Sequence, residues 1–416
     1  MNSQPYEPRL HQLVLYRSIL GDELLQRLQK IISGNAGEDL MYDVTARLIA
    51  KAEELGLAGD IWKKYIVYLL AWDENVFSRT VEKNGGIIGE SLRQAAIHDL
   101  TIWQELLTHG DVLAGRELAL IHDFAPTRAG TPASDGRIID SLLSALCQLP
   151  PEQMVDTLVR HYGTYGSGQI AAFPAFRWDE ENGLEGIRHP EIVSLQDIVG
   201  YESQKEILVK NTEAFLNGKP ANHVLLVGAR GTGKSSSVKG LVNQYFDQGL
   251  RLVEVPKYQL KYLNKIINTL RGRSLKFILF LDDLSFEDSE TEYKHLKSMI
   301  DGGIEARPDN VILYATSNRR HLIREDWADR AGSQDIHAAD SVHEKVSLSD
   351  RFGIILTFST PDQDKYLKIV DALAARHRIQ LPQDELHRRA LRWELSHSGR
   401  SGRVAQQFIH YLRGTS

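Results

Sequence analysis

The segment Gly228-Ala229-Arg230-Gly231-Thr232-Gly233-Lys234-Ser235 decides the fold, because it satisfies in full the pattern GxxxxGK followed by Ser or Thr. It follows the apolar run His223–Val227 and precedes a helix-length segment, which is the setting of a phosphate-binding (Walker A) loop. In such a loop the glycines let backbone N–H groups turn toward the phosphates of a nucleotide, and Lys234 adds a full positive charge. Ser235 offers its hydroxyl to Mg²⁺. A chance glycine-rich turn would not need a strand before it and a helix after it.

Five short apolar runs have the composition of buried strands, and helix-length segments separate them along the chain. They are rich in branched or aromatic residues, which favours parallel strands buried on both faces. The alternation predicts an α/β core in which a five-stranded parallel sheet carries helices on both faces. The runs are His223–Val227, Arg251–Val255, Phe277–Leu281, Val311–Ala315 and Gly353–Phe358.

Two carboxylates end the third of these runs, because Asp282 and Asp283 follow Phe277–Leu281 directly. This Walker B arrangement predicts that Asp282 holds Mg²⁺, through water, since magnesium keeps much of its hydration shell. Asp283 stands where a catalytic base, usually Glu, would polarise the attacking water, but its side chain is one methylene shorter. A surface turn remains the alternative for this pair, and Glu287 is a weaker candidate for the base.

The regions on either side of the core show helical patterns. Between about residue 8 and residue 163, apolar residues recur at helical spacing, as in Trp62, Ile66 and Leu69. Glycine and proline become dense from Gly163 onward, which is typical of a connection. We therefore predict an all-α N-terminal domain (1–162), a linker (163–193), the ATP-binding α/β core (194–360) and a C-terminal helical lid (361–416).

The order of the motifs resembles the AAA+ family of P-loop ATPases over residues 195–413. The resemblance implies ATP and Mg²⁺ as ligands, with an adenine pocket beside the phosphate loop. An ordinary helix entry is the alternative for the segment assigned to adenine. The resemblance places the phosphates on Gly228, Ala229, Arg230, Gly231, Thr232, Gly233, Lys234, Ser235 and Ser236, and the adenine beside Ile198, Val199 and Tyr201.

The same resemblance assigns roles to three further polar residues. Asn318 matches the sensor 1 residue that positions water against the γ-phosphate, and the alternative is an Asn that caps a loop. Arg351 matches the arginine finger that reaches the ATP of a neighbouring subunit, and the alternative is a surface ion pair. Arg403 matches the sensor 2 residue, with Arg400 as a second choice, and the alternative is a solvated helix start.

A closer resemblance is to an uncharacterised bacterial family of AAA+ ATP-binding proteins with a helical N-terminal region. It rests on Gly228–Ser235, on Asp282-Asp283-Leu284-Ser285-Phe286, and on the segments 315–321 and 347–353. This resemblance implies the fold and the ATP site, and it implies no substrate.

Composition limits the class of protein. The net charge of −6 and the pI of about 6.2 argue against a strongly basic DNA-coating protein. Cys147 is the single cysteine, so no internal disulfide can form, and this scarcity fits a reducing compartment. The first residues lack the pattern of a signal segment, and no apolar run is long enough for a membrane span. We expect a cytoplasmic protein.

The partner of the expected ATPase is less well defined. AAA+ proteins commonly work as oligomers, so we expect a homo-oligomer that acts on an unknown protein partner. Protein threading is not supported, because the segment Pro256–Leu260 has an aromatic residue but no glycine. From Lys257 to Lys276 there are six basic residues and no acidic one. Their spacing favours the solvated face of an amphipathic helix over a stripe that binds nucleic acid. Three hypotheses stand: an ATPase that remodels a complex, a nucleotide-dependent switch or scaffold with little turnover, and a DNA-associated ATPase.

Overall fold

The computed structural model describes residues 9–34, 36–109, 120–127, 136–187, 190–191, 193–286, 292–301, 308–318, 349–397 and 399–415. The chain divides into two compact units. One unit contains the residues up to Pro174 together with the short segment Gly272–Leu275, and the other contains Ala175–Arg271 and Lys276–Ser416. We call them the helical unit and the α/β unit.

The helical unit is built from amphipathic helices around one apolar core. Its core includes the large side chains of Trp62, Trp103 and Tyr162, all fully buried. The all-α architecture predicted for this part of the chain is thus confirmed. Its helices are α1 (Glu23–Ile32), α2 (Glu38–Leu55), α3 (Ile61–Trp72), α4 (Val76–Lys83), α5 (Glu90–His109), α6 (Gly136–Gln148), α7 (Pro151–Tyr165) and α8 (Gly168–Ala172).

A buried carboxylate fixes the N-terminal segment to α5. Asp99 is fully buried, and its carboxylate accepts hydrogen bonds from the backbone N–H groups of Val14, Leu15 and Tyr16 at 2.7–3.1 Å. These groups lie where the chain has no regular helix, so they have no intrahelical partner. Asp99 therefore satisfies three backbone donors, one buried and two partly buried, that would otherwise lack an acceptor in the protein.

A second buried carboxylate, Glu82 of α4, holds the segment Gly272–Leu275 in the helical unit. The Glu82 side chain is completely buried and accepts from the Ser167 hydroxyl at 2.5 Å and from Arg273 Nη1 at 3.3 Å. The Arg273 guanidinium also pairs with Glu74 at 2.9 Å. Paired buried charges of this kind are costly to break, because the remaining charge would lose its partner without gaining water.

The α/β unit is organised around a seven-stranded sheet with the strand order β2-β1-β4-β5-β6-β3-β7. The five predicted strands are all present and all pair in parallel, which confirms the predicted core. The residues of the first four are almost entirely buried, as expected when helices cover both faces, whereas the fifth, at the sheet edge, alternates between buried and exposed residues. These strands are β3 (Val224–Gly228), β4 (Leu250–Glu254), β5 (Lys276–Leu281), β6 (Val311–Ser317) and β7 (Ile354–Phe358).

Two further strands come from residues that the sequence pattern assigned to a linker. β1 (Ala175–Asp179) pairs in parallel with β4, and β2 (Gly183–Gly186) pairs antiparallel with β1. Ala175, Phe176 and Trp178 of β1 are buried whereas Arg177 is exposed. The interpretation of 163–193 as only a connection is therefore corrected, because Gly168–Ala172 form α8 and Ala175–Asp179 extend the sheet beyond β4.

The remaining helices of the α/β unit include two groups that matter for the site. α9 (Glu202–Leu216) and α10 (Lys234–Tyr245) pack apolar side chains against the sheet. α13 (Gln363–Arg376), α14 (Gln383–Leu395) and α15 (Gly402–Thr415) form the predicted C-terminal helical region with its own apolar core, including Tyr366, Val370 and Phe408. α11 (Leu263–Leu270) and α12 (Tyr293–Asp301) are the other α-helices of this unit among the described residues.

No helix in the described part of the chain combines the length and the apolar character needed to cross a bilayer.

We expect Asp99→Ala to lower the free energy of unfolding of the helical unit by about 3 kcal/mol, because one buried and two partly buried N–H groups lose a charged acceptor. Urea denaturation followed by tryptophan fluorescence measures the change. Asp156→Ala is the matched control, since Asp156 is 56% exposed and pairs with Arg93 at the surface. The control should cost about 1 kcal/mol or less. Equal losses in the two variants would contradict the anchoring role of Asp99.

Candidate nucleotide-binding site

The predicted motifs converge because three neighbouring strands end at the same edge of the sheet. β6 lies between β5 and β3, and all three run parallel. Leu281 of β5 pairs with Ala315 of β6, and Val227 of β3 pairs with Ser317 of β6. The loops that leave these strands therefore meet at the carboxyl end of the sheet, which is where parallel α/β sheets bind ligands.

The phosphate loop needs glycine at two positions for reasons visible in the structure. Gly228 has φ of 144°, and a Cβ there would lie 2.0 Å from the backbone oxygen of Phe358. Gly231 has φ of 74°, and a Cβ there would lie 3.0 Å from Cβ of Arg403. The Thr232 hydroxyl donates to the Ala229 carbonyl at 2.9 Å. The loop is thus shaped by close backbone approach on both sides as well as by its own turn.

Lys234 lies at the start of α10 and is only 6% exposed. Its ammonium donates to the carbonyls of Gly228 and Ala229 at 2.8 Å and to Asn318 Oδ1 at 3.0 Å. Burial lowers the pKa of this ammonium, and the nearby Asp283 and Asp282 carboxylates oppose that shift. The three acceptors hold the Lys234 ammonium next to the end of β3, in the lining of a cavity.

Asp282 is fixed by two hydroxyl groups from different elements. Its Oδ1 accepts from Ser235 Oγ at 2.6 Å and from Thr316 Oγ1 at 2.6 Å. Thr316 is buried at the end of β6, and its hydroxyl also accepts from the backbone N–H of Asp283 at 2.9 Å. Its carbonyl accepts from the N–H of Leu284 at 2.7 Å. One threonine therefore positions both carboxylates of the acidic strand end.

Asp283 adopts a left-handed backbone conformation, with φ of 51°. Aspartate tolerates this region better than most side chains, so the backbone gives a physical reason for Asp where Glu is usual. The Asp283 carboxylate accepts from Asn318 Nδ2 and lies 3.7 Å from Arg230 of the phosphate loop. Asn318 thus bridges Lys234 and Asp283, and it brings the predicted sensor and the predicted base into direct contact.

The side of the cavity predicted to bind adenine is formed around Tyr201, which is 6% exposed and has φ of 62°. Its hydroxyl donates to the Ser359 carbonyl at 2.6 Å, and its ring stacks on Phe358 with centroids 4.8 Å apart. The ammonium of Lys365 lies 3.3 Å from the centre of the ring, which is a cation–π geometry. Ile198 is buried next to it, and Val199 contacts the core of the C-terminal helices.

These residues surround one cavity of about 630 Å³, a size that suits a nucleotide. It includes the predicted adenine, metal, sensor 1 and sensor 2 residues and the phosphate-loop residues from Arg230 onward, whereas Gly228 and Ala229 are not in its lining. Further lining residues include Glu191, Lys239, Thr316, Ile369 and Leu373. Arg351 is described, but it is not among the residues that line this cavity. Glu287 and residues 319–321 and 347–348 lie outside the described residues. The predicted members of the lining are Ile198, Val199, Tyr201, Arg230, Gly231, Thr232, Gly233, Lys234, Ser235, Ser236, Asp282, Asp283, Asn318 and Arg403.

The donor set at Ser235 and Asp282 fits Mg²⁺. A hydroxyl oxygen and a carboxylate oxygen converge at 2.6 Å in the cavity, and hard oxygen donors are the ligands that magnesium prefers. The structure shows no group of three or more His, Cys, Asp or Glu residues arranged for a metal among the residues it describes. A magnesium ion here would therefore depend on water and on phosphate oxygens for most of its coordination.

Two residues that shape the site, Thr316 and Lys365, are not among those predicted from the sequence. Thr316 was part of the strand-end segment, and its position between an apolar run and Asn318 was the available signal. Lys365 lies far from Tyr201 in sequence and gave no local signal. The first of these could be found from a strand-end pattern, whereas the second depends on how the C-terminal helices pack.

We expect Gly228→Ala to destabilise the α/β unit much more than Gly218→Ala. Both glycines have positive φ, but a Cβ at Gly218 would meet no atom within 4 Å, whereas at Gly228 it would meet backbone. The control should therefore cost about 1–2 kcal/mol, the cost of the left-handed backbone alone. Thermal unfolding of the two variants measures the difference. Similar melting temperatures would show that the phosphate loop does not approach Phe358 as closely as described.

Comparison with solved structures finds the RuvB Holliday junction branch migration motor of Thermotoga maritima, at 19% sequence identity and a TM-score of 0.36, covering 53% of this chain and 64% of that one. A single-substitution variant of the same protein matches at 19% identity and a TM-score of 0.37, covering 53% of this chain and 65% of that one. The chain thus spans slightly less than two thirds of these solved chains. No curated protein matches it.

A family model described as "Protein of unknown function (DUF815)" matches residues 171–416, which include the sheet, the cavity and the C-terminal helices. The predictions of a parallel α/β core and of an uncharacterised family are confirmed. The chain belongs to the DUF815 family.

Proposed function

We propose that this protein is an ATPase of the AAA+ type, which binds ATP with Mg²⁺ in the cavity and hydrolyses it to ADP and phosphate, in order to change the conformation of a partner complex. The observation that carries the proposal is the contact between Ser235 and Asp282 at 2.6 Å, beside the Lys234 ammonium. A phosphate loop and an acidic strand end that meet in this way are the parts that ATP hydrolysis needs.

The phosphate loop supplies binding. Residues 230–236 line the cavity and α10 begins at Lys234, so backbone N–H groups at this helix start would bind the phosphates. Lys234 would exchange its carbonyl acceptors for β- and γ-phosphate oxygens. Bound Mg²⁺ would neutralise charge on these oxygens, held by Ser235 and Asp282. Ile198, Val199 and Tyr201 would form the adenine side, since they line the same cavity as the loop.

Asp283 is proposed as the base for the attacking water. Its carboxylate would accept the proton of the water as the oxygen attacks the γ-phosphorus and the bond to the leaving ADP breaks. Thr316 fixes its backbone N–H, and Asn318 fixes its carboxylate, so both act as positioning residues. A shorter acid can do this work only where its reach is supported in this way.

Arg403 is proposed as sensor 2 in preference to Arg400. Arg403 lies in the cavity at the start of α15, and its backbone N–H donates to the Gly231 carbonyl at 3.3 Å. The Arg400 guanidinium is instead engaged by Glu394 at 3.1 Å. Burial is the main cause of the lowered pKa of Lys234, and the nearby charge of Arg403 also lowers this pKa.

Arg351 is proposed to act in a second copy of the chain. It immediately precedes the fifth core strand and does not belong to the cavity of its own chain. An arginine that stabilises charge on a transferred phosphoryl group must reach that group, so its target would be the ATP of a neighbour. This places a homo-oligomer within the proposal.

A nucleotide-dependent switch with little turnover is the second candidate. The Asp283 carboxylate is shared between Asn318 and Arg230, and both contacts compete with an attacking water for its oxygens. The DNA-associated ATPase receives less support from the stretch 257–276. There Leu260, Leu263 and Ile266 are buried, and lysines lie over the rings of Phe286, Tyr262, Trp178 and Phe215, as expected of an amphipathic element.

We expect Lys234→Ala to weaken Mg·ATP binding by about 10- to 100-fold, because a charged hydrogen-bond donor to the phosphates is lost. Asp283→Asn should keep binding and lower turnover by about 100-fold or more. Isothermal titration and phosphate release measure the two quantities. Lys210→Ala is the control, since Lys210 is 70% exposed on α9 and pairs with Glu206. Tight binding with almost no turnover, unchanged by Asp283→Asn, would support the switch; no binding by the parent would refute both.

We expect Arg351→Ala to lower turnover by about 10³-fold while ATP binding is unchanged. Mixing Arg351→Ala with Asp283→Asn then tests whether the arginine acts between copies. In a mixed oligomer, some sites combine an intact Asp283 with an intact Arg351 from the neighbour, so activity should return. A mixture that stays inactive under conditions where light scattering shows mixed oligomers would contradict a role in trans.

A further inference from the structure

Backbone strain points to a residue outside the nucleotide cavity. Among the described residues, three that are not glycine have positive φ: Tyr201, Asp283 and Arg378. Tyr201 and Asp283 line the cavity, whereas Arg378 follows α13 in the C-terminal helices. Strained backbone of this kind persists where function requires the residue, so Arg378 calls for an explanation.

Arg378 occupies the position where a helix end most favours glycine. The N–H of Ile379 bonds to the Ala374 carbonyl and the N–H of Arg378 to the Ala375 carbonyl, which is the Schellman pattern. In that pattern the residue with φ near +54° is usually glycine, because a Cβ is disfavoured there. The chain therefore keeps an exposed arginine at a position where glycine would make the helix end more stable.

Arg378 belongs to a group of basic side chains at the ends of α13 and α15. We call Arg376, His377, Arg378, His410 and Arg413 the cationic patch. The rings of His377 and His410 lie 6.1 Å apart, and Arg413 Nη1 lies 3.4 Å from His377 Nδ1. Ten Lys and Arg residues face six Asp and Glu residues between 361 and 416, in a chain whose net charge is −6.

The positive charge of this patch is poorly compensated. Arg376 pairs with Asp197 at 2.7 Å, but within the described residues Arg378 has no ion pair and Arg413 contacts only another basic group. Burial lowers the pKa of His377, and Arg413, Arg376 and His410 lower it further. Basic side chains at helix C-termini are stabilised by the helix dipole, yet that effect does not require an arginine in a strained backbone.

An exposed aromatic residue borders the patch. Tyr411 is 53% exposed and follows His410 on α15, about 100° around the helix. Its ring contacts Trp393 with centroids 4.8 Å apart, and Trp393 stacks on His397 at 4.2 Å. Tyr411 packs toward α14 whereas Arg413 and His410 meet His377, so the ring and the arginines lie on adjoining faces separated by His410. An aromatic ring held by its neighbours can stack on a base of a strand whose phosphates bind arginines on the adjoining face.

We propose that the cationic patch binds the phosphate backbone of single-stranded nucleic acid, with Tyr411 as the stacking surface for a base. Unlike the lysines of the stretch 257–276, which lie over the protein's own aromatic rings, the guanidinium of Arg378 projects from the end of a helix without an internal partner among the described residues. The proposal does not depend on ATP hydrolysis.

Fluorescence anisotropy of a labelled single-stranded oligonucleotide, with the full chain and over a salt series, tests the proposal. Arg378→Gly should weaken binding by about ten-fold, because one charged phosphate contact is lost. The slope of log affinity against log salt should become less steep by about 0.7. The same variant should have a melting temperature equal to or above that of the parent, since glycine suits this backbone. Loss of binding therefore cannot be ascribed to unfolding.

Arg388→Ala is the matched control, because Arg388 is an exposed arginine on α14 that is already paired with Glu385. It should leave affinity and salt slope unchanged. Tyr411→Ala should weaken binding without changing the slope. Repeating the titration in Lys234→Ala separates this surface from the nucleotide cavity. Parent-like binding by Arg378→Gly, or displacement of the oligonucleotide by polyglutamate as effectively as by unlabelled oligonucleotide, would overturn the proposal, the latter in favour of an acidic protein.

Discussion

One carboxylate oxygen joins the two halves of the candidate site. Asp282 Oδ1 accepts a hydroxyl from Ser235, at the start of α10, and a hydroxyl from Thr316, at the end of β6. The phosphate loop, the acidic strand end and the sensor strand can therefore not shift independently. This constraint also explains the strand order, because β6 must lie between β3 and β5 for its last residues to reach both.

The parts of the structure that could be predicted are those with a local cause. The phosphate loop has a glycine pattern set by its own backbone, and the five buried strands are short apolar runs, so both could be recognised in the sequence. β1 and β2 could not, because their pairing with β4 depends on residues distant in sequence and their glycines resembled a connection. The contact between Lys365 and Tyr201 has the same non-local origin.

The predicted site residues divide in a similar way. The resemblance to the AAA+ family predicts Asn318 near the γ-phosphate, and in the structure Asn318 contacts Lys234 and Asp283. For Asp283, the sequence shows only that the side chain is one methylene shorter than the usual Glu. The backbone at φ of 51° supplies the missing reason, since this conformation favours a short acid and its geometry cannot be read from residue type.

The helix α15 links the nucleotide cavity to the cationic patch. It starts with Gly402 and Arg403 against Gly231 of the phosphate loop and, within its 14 residues, reaches His410 and Arg413. A helix of that length is a stiff rod of about 21 Å, so displacement at one end is carried to the other. Thermodynamic linkage is reciprocal: if a triphosphate at Gly231 tilts this rod, any polyanion held at its far end must alter nucleotide affinity by the same factor.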